Sequence, residues 1–183
     1  DVKVHEKDEK ITYLSGKINI DNFSLQLGAQ KLPPSYFHIN LDKGRAALSS
    51  KFYTAKNESS DITADIKLTK PFDINIKCKC EKAQLANLQK LAIPVMELLK
   101  IKNNLTEFKT NGTISADFEV KTDFKTLHSN GSLKIKNANI THNSIPLKIS
   151  GINALVDFSN NSVKIKQSDI LINNQPVKVS GTI

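Results

Sequence analysis

Strict period-2 alternation constrains this chain more than any other feature. From Thr113 to Lys121, in Thr113-Ile114-Ser115-Ala116-Asp117-Phe118-Glu119-Val120-Lys121, every even position is apolar and every odd one polar. From Phe72 to Glu81 the same pattern runs for ten residues and puts Cys78 and Cys80 on the apolar side. Side chains alternate across a strand but spiral around a helix, so such stretches predict half-buried strands, and their recurrence predicts a mainly β protein.

Further strands are expected at Ile11 to Ile20, Phe23 to Leu27, Tyr36 to Leu41, Arg45 to Ala55 and Ile62 to Leu68. Beyond the middle of the chain they are expected at Ser132 to Ile140, Leu147 to Phe158, Ser162 to Ile172 and Val177 to Ile183. Asn111-Gly112, Asn130-Gly131, Asp42-Lys43-Gly44, Asn160-Asn161 and Asn173-Asn174 read as short links. Short links imply antiparallel hairpins, because a parallel crossover takes a dozen or more residues. At Gly151 the apolar set shifts from odd positions (Leu147, Ile149) to even ones (Ile152, Ala154), and at Asn137-Ala138-Asn139-Ile140 the phase shifts again. Both places predict β-bulges, which would make the sheet curl.

One segment has the helical period. Between Glu81 and Lys100, Leu85, Leu88, Ala92, Val95 and Leu99 form one stripe, so an amphipathic helix is expected near 83–100. Pro94 makes it either a kinked helix or two short ones. The chain thus divides into strands (1–81), a helical insert (82–103) and further strands (104–183). A loose repeat, a glycine followed by alternating apolar residues and a polar turn, recurs at Gly112, Gly131, Gly151 and Gly181 and suggests an elongated sheet whose strands stack on their neighbours.

At 183 residues, 39% hydrophobic and 24% charged, the chain is long enough for a core and lacks the signature of disorder. No apolar run reaches the roughly 18 to 20 residues of a membrane-spanning helix. The chain opens Asp1-Val2-Lys3-Val4, without a signal core, and reads as a segment of something longer. The net charge of +8 raises nucleic acid as a partner. The lysines are interleaved with acids, Arg45 is the sole arginine, and there is no tryptophan to stack on bases, so no nucleic-acid partner is expected. Cys78 and Cys80 have neither redox nor zinc spacing and read as small apolar residues facing a core.

The apolar face of so many strands exceeds the roughly 300 to 600 Å² that soluble monomers leave open. One helix covers only part of it. The sheet must fold on itself as a sandwich or barrel, be covered by further chain, or form an open groove for an apolar ligand.

The half from Gly112 to Ile183 resembles the AsmA-like/TamB superfamily of bacterial envelope proteins. The resemblance is carried by Gly112-Thr113-Ile114-Ser115-Ala116, by Gly131-Ser132-Leu133-Lys134-Ile135-Lys136-Asn137-Ala138-Asn139-Ile140, and by Ile145-Pro146-Leu147. It continues through Ile152-Asn153-Ala154-Leu155-Val156-Asp157-Phe158 and Val163-Lys164-Ile165 to Asn174-Gln175-Pro176-Val177-Lys178-Val179-Ser180-Gly181-Thr182-Ile183. It implies a taco-like β-groove with an apolar inner face, in a periplasmic protein anchored in the inner membrane, serving phospholipid transport between the membranes or outer-membrane assembly. Asn174-Gln175 departs from the Asn-Gly common in such repeats.

Catalytic motifs are missing: His5, His38, His128 and His142 form no metal-binding pair, and there is no nucleophile elbow, P-loop or dinucleotide fingerprint. With that absence, the resemblance implies a non-enzymatic lipid conduit without a cofactor or metal, its partners being phospholipid acyl chains and outer-membrane assembly proteins. The residues expected to face lipid are Phe72, Ile74, Ile76 and Cys78; Ile114, Ala116, Phe118 and Val120; Ile152, Ala154, Val156 and Phe158; and Val163 and Ile165. The alternative is a structural or adhesive β-sandwich whose apolar face is simply its core.

Overall fold

A computed structural model describes residues 1–7, 10–27, 30–98, 100–146 and 148–183; the side chains of 6, 7, 10–13, 27 and 30 lie outside that description. The strands are β1 (Val2–Lys7), β2 (Lys10–Phe23), β3 (Gln26–Leu27), β4 (Gln30–Lys31), β5 (Ser35–Asp42), β6 (Arg45–Ala55), β7 (Glu58–Lys67) and β8 (Asp73–Gln84). Helix α1 (Leu85–Leu98) and a 3-10 turn (Leu105–Glu107) follow. The remaining strands are β9 (Phe108–Thr122), β10 (Leu127–His142), β11 (Lys148–Ser159), β12 (Ser162–Ile172), β13 (Gln175–Lys178) and β14 (Gly181–Thr182).

One 12-stranded sheet runs in the order β1-β2-β5-β6-β7-β8-β9-β10-β11-β12-β13, with β14 also pairing β12 and β3-β4 forming a separate hairpin. Every pairing is antiparallel, and the path does not close between β1 and β13. The expected curled antiparallel sheet is the fold. The long strands all belong to one open hydrogen-bonded sheet, not to the two packed sheets of the alternative β-sandwich. A compact monomer of 20.3 kDa has roughly 8,800 Å² of accessible surface, whereas this chain has 12576 Å².

The expected bulges are present. Register shifts fall between Ile135 and Ala138 and between Ser150 and Asn153, with Asn137 (φ 48) and Gly151 (φ 59) in the left-handed region. Asparagine side chains hold them: Asn139 Oδ1 accepts from the Gly151 N–H (2.9 Å), Asn153 Oδ1 accepts from the Asn137 N–H (3.0 Å), and Asn139 Nδ2 donates to Asn111 Oδ1 (2.7 Å). The Asn173-Asn174 link has both residues left-handed, at φ 49 and 66, as a two-residue hairpin with a right-handed twist requires.

Several sequence expectations need correction. Asn111-Gly112 and Asn130-Gly131 are not links but lie inside β9 and β10. Gly112 (φ 99) crosses the β10 bulge so closely that a β-carbon would strike the Ala138 backbone, which is a reason for glycine as strong as a turn. Phe23 to Leu27 is not one strand, since β2 ends at Phe23 and Gln26–Leu27 pairs with Gln30–Lys31. Val177 to Ile183 is split between β13 and β14, with Ser168 Oγ and Val179 bonded to each other across the gap. The helix begins at Leu85, two residues after the expected start near 83, because β8 extends to Gln84, and it is one helix with Pro94 inside it. Leu99 of the stripe and Leu147 of the strand expected at Leu147 to Phe158 lie outside the described residues.

Candidate functional site

Residues directly opposite each other in an antiparallel ladder share a face, so the register places each expected site residue. One row runs Ile20, Phe37, Ser50, Ile62, Cys78, Phe118, Gly131, Phe158 and Val163, from β2 across to β12. Beside it run Ile18, Ile39, Leu48, Ala64, Ile76 and Val120. On the other flank come Cys80, Ala116, Leu133, Val156 and Ile165, then Ala83, Ile114, Ile135 and Ala154. Ile74 sits between Ile66 and Thr122 in a further row.

Two expected residues stand apart. Phe72 precedes β8 and meets Phe124 of the β9–β10 turn edge to face, ring centroids 5.8 Å apart. Ile152 lies beyond the bulge, opposite Ala138, and is the one member of the set that is buried, at 9% exposure. The others are half-buried or open, with Ile76 36% and Val163 41% exposed. The face is thus a continuous apolar surface that water reaches, about 40 Å across at a strand spacing of about 4.8 Å.

The opposite face is charged and carries several cross-strand ion pairs. Lys51, Asp61, Lys79, Asp117, Ser132, Asp157 and Lys164 form one cross-strand row. Arg45 pairs with Asp65 (2.7 Å), Lys51 with Asp61 (3.4 Å), Glu119 with Lys121 (3.3 Å) and Lys77 (3.6 Å), and Lys166 with Asp157. The Asp61 hydrogen bond raises the Lys51 ammonium above its usual range. A hydrogen bond from Asn75, with help from Lys121, holds the Glu119 carboxyl below its own. Burial pushes the Cys78 thiol up, so it is a poor nucleophile where it sits.

At one end of the sheet α1 lies across the strands. Asn87 Nδ2 donates to both carboxylate oxygens of Glu58 (3.1 Å each), and Gln89 Nε2 donates to the carbonyls of Leu105 (2.6 Å) and Phe108 (2.7 Å) while its Oε1 accepts from Thr110 (2.7 Å). These bonds tie the helix to the start of β7 and of β9. The small core gathers near this end, with Leu32, Ala83, Ala138, Ser50, Thr54 and Glu58 all buried. An open apolar cavity of about 430 Å³ remains between the Leu85, Leu88 and Ala92 stripe and Phe108, Thr110 and Ile140. Sequence reading missed Asn87, Gln89 and Glu58. For Glu58 a signal existed, since its even position in β7 is the apolar one.

Among the described residues the histidines lie apart. His38 stacks on Tyr36 (4.9 Å) and pairs with Asp21 (2.7 Å), whereas His142 pairs with Glu107 (2.9 Å) at the far end of β10. Among the described residues no group of His, Cys, Asp and Glu is arranged to hold a metal ion. Comparison with protein families, curated proteins and solved structures found nothing that matches this chain.

Proposed function

We propose that the apolar face is a lipid track. A phospholipid acyl chain leaves water for the rows around Cys78, Phe118 and Phe158, gaining about 0.8 kcal/mol per buried CH₂, while its headgroup stays at the solvent edge. The observation that carries this reading is the combination of continuity and access: one apolar row crosses from β2 to β12 without a charge, and all but its glycine and serine positions are apolar. Helix α1 packs on one end of the sheet only, and track positions away from it such as Ile76 and Val163 stay open, at 36% and 41% exposure. Among the described residues no cluster of polar groups converges on this face, which suits a conduit that must release what it holds better than a pocket for one ligand.

On this reading, and following the resemblance to the AsmA-like/TamB superfamily, the chain works in the periplasm as part of a protein anchored in the inner membrane. Its cargo is phospholipid moving between the two membranes, or lipid needed in outer-membrane assembly. Native mass spectrometry of the purified chain, with organic extraction, tests the reading. Phospholipid in excess of a control protein is expected, and Phe118→Asp or Val156→Asp should remove most of it while circular dichroism stays unchanged. Equal lipid in the folded charged variants would sink the assignment.

A further inference from the structure

The apolar stripe of helix α1 widens toward its C-terminal end, where Leu91, Val95 and Leu98, spaced i, i+4 and i+7, run alongside Leu88 and Ala92. Val95 is 37% exposed and Leu98 78%, and the stripe continues past the helix end to Ile101, 49% exposed. Ile101 is placed there by a defined helix stop. Its N–H donates to the Met96 carbonyl (2.8 Å) and that of Lys100 to the Glu97 carbonyl (3.0 Å), with Lys100 left-handed at φ 56. This is the Schellman arrangement, in which glycine is the usual residue where Lys100 stands.

The charge around this tip is mostly positive, with Lys90, Lys100 and Lys102 against Glu97. Among the described residues the three lysines face no acid within ion-pair distance, and all are exposed. Exposed leucine and isoleucine framed by unpaired lysines are what an anionic lipid surface complements: the apolar side chains enter the acyl boundary and the ammonium groups meet phosphates. Nucleic acid would use the lysines but leave Leu98 and Ile101 in water. No helix of the described residues is long and apolar enough to cross a membrane, so the tip would lie on the bilayer.

We propose that Leu98 and Ile101, with Lys90, Lys100 and Lys102, dock the end of α1 on an anionic phospholipid bilayer. This goes beyond the lipid track and stands independently of it, because the docking residues and the track residues are different.

The test is co-sedimentation with vesicles of equal parts phosphatidylglycerol and phosphatidylcholine, at low salt. The chain should sediment with these and much less with phosphatidylcholine alone. Replacing the lysines by glutamine should weaken binding about fivefold for each one removed, and Leu98→Asp, at an exposed position that leaves the fold intact, should abolish it. The chain has no tryptophan, so Leu98→Trp gives a single reporter whose emission should move to the blue when vesicles are added. Unchanged binding by Leu98→Asp, an unmoved Leu98→Trp emission, or tighter binding to duplex DNA than to vesicles would each overturn the proposal. Leu98→Asp should leave the phospholipid extracted from the purified chain unchanged, which separates failure of the tip from failure of the track.

Discussion

The ring of Phe158 lies over Gly131, its Cζ only 2.5 Å from where a β-carbon on the glycine would stand. Gly131 sits between Phe118 and Phe158 in the central apolar row, and the same β-carbon would also be 2.5 Å from the Asp117 carbonyl oxygen. The glycine is therefore a slot for an aromatic side chain, which keeps the row apolar where it has no side chain of its own. Because backbone as well as ring is in the way, Gly131→Ala should destabilise the chain by about 1 to 3 kcal/mol. Gly181, with nothing within 4 Å of its β-carbon position, is the internal control, and Gly181→Ala should stay within about 0.5 kcal/mol. Urea unfolding of both variants decides the point; equal midpoints would mean the sheet yields at Gly131.

Asn139 fastens two strands at once, accepting from the Gly151 N–H and donating to Asn111. Asn139→Ala leaves that N–H without its partner in a half-buried place, a loss of about 1 to 3 kcal/mol. Asn139→Asp keeps an acceptor for Gly151 and should lose less. Amide exchange adds a local reading: the Gly151 N–H should exchange faster in Asn139→Ala than in Asn139→Asp.

Asp123 is the acid whose titration should be visible. Its Oδ1 accepts from the Lys125 N–H (2.9 Å), the Thr126 N–H (2.7 Å) and the Thr126 hydroxyl (2.9 Å), and the backbone bonds above all lower its pKa from 3.8 to about 2. A carboxyl depressed by folding adds stability above its unfolded pKa and loses it as pH falls through the folded value. The contribution of Asp123 should thus be complete above pH 3.8 and fade toward pH 2. Carboxyl-carbon NMR should give the low midpoint, and the stability gap between the parent chain and Asp123→Ala should narrow over that interval. A gap constant with pH would mean the turn does not depend on the charge.

Alternation carried most of the fold because a strand reports its faces in every second residue. Phe72 to Glu81 and Thr113 to Lys121 announce their apolar sides by parity alone, and the register then puts Cys78 opposite Phe118. Bulges were legible at Gly151 and Asn137 because each leaves a parity break behind. Glycine was misread for a physical reason. Asn111-Gly112 and Asn130-Gly131 have turn composition, but their glycines answer to close approach by Ala138 and Phe158, partners distant in sequence. The helix clamps escaped for the same reason, since Gln89 is an ordinary polar residue until Leu105, Phe108 and Thr110 are brought beside it. Strand β1 offers only Val2 and Val4 as alternation, too little to mark a strand, yet it pairs with β2 and forms one edge of the sheet.

Lys100 joins stability and the proposed membrane contact in one residue. Its left-handed backbone, φ 56, is the position glycine takes at most helix ends of this type, and a side chain there costs roughly 1 to 2 kcal/mol. Lys100→Gly should therefore raise stability, by up to about 1 kcal/mol once glycine's greater freedom in the unfolded chain is set against the relief. The same change removes one ammonium from the tip and should weaken binding to phosphatidylglycerol vesicles about fivefold. Lys100→Asn separates the two effects, because asparagine tolerates the left-handed region but is neutral. It should regain part of the stability and lose as much vesicle affinity as glycine does. If Lys100→Gly unfolds at a lower urea concentration than the parent chain, the left-handed helix stop is not what holds Ile101 in place.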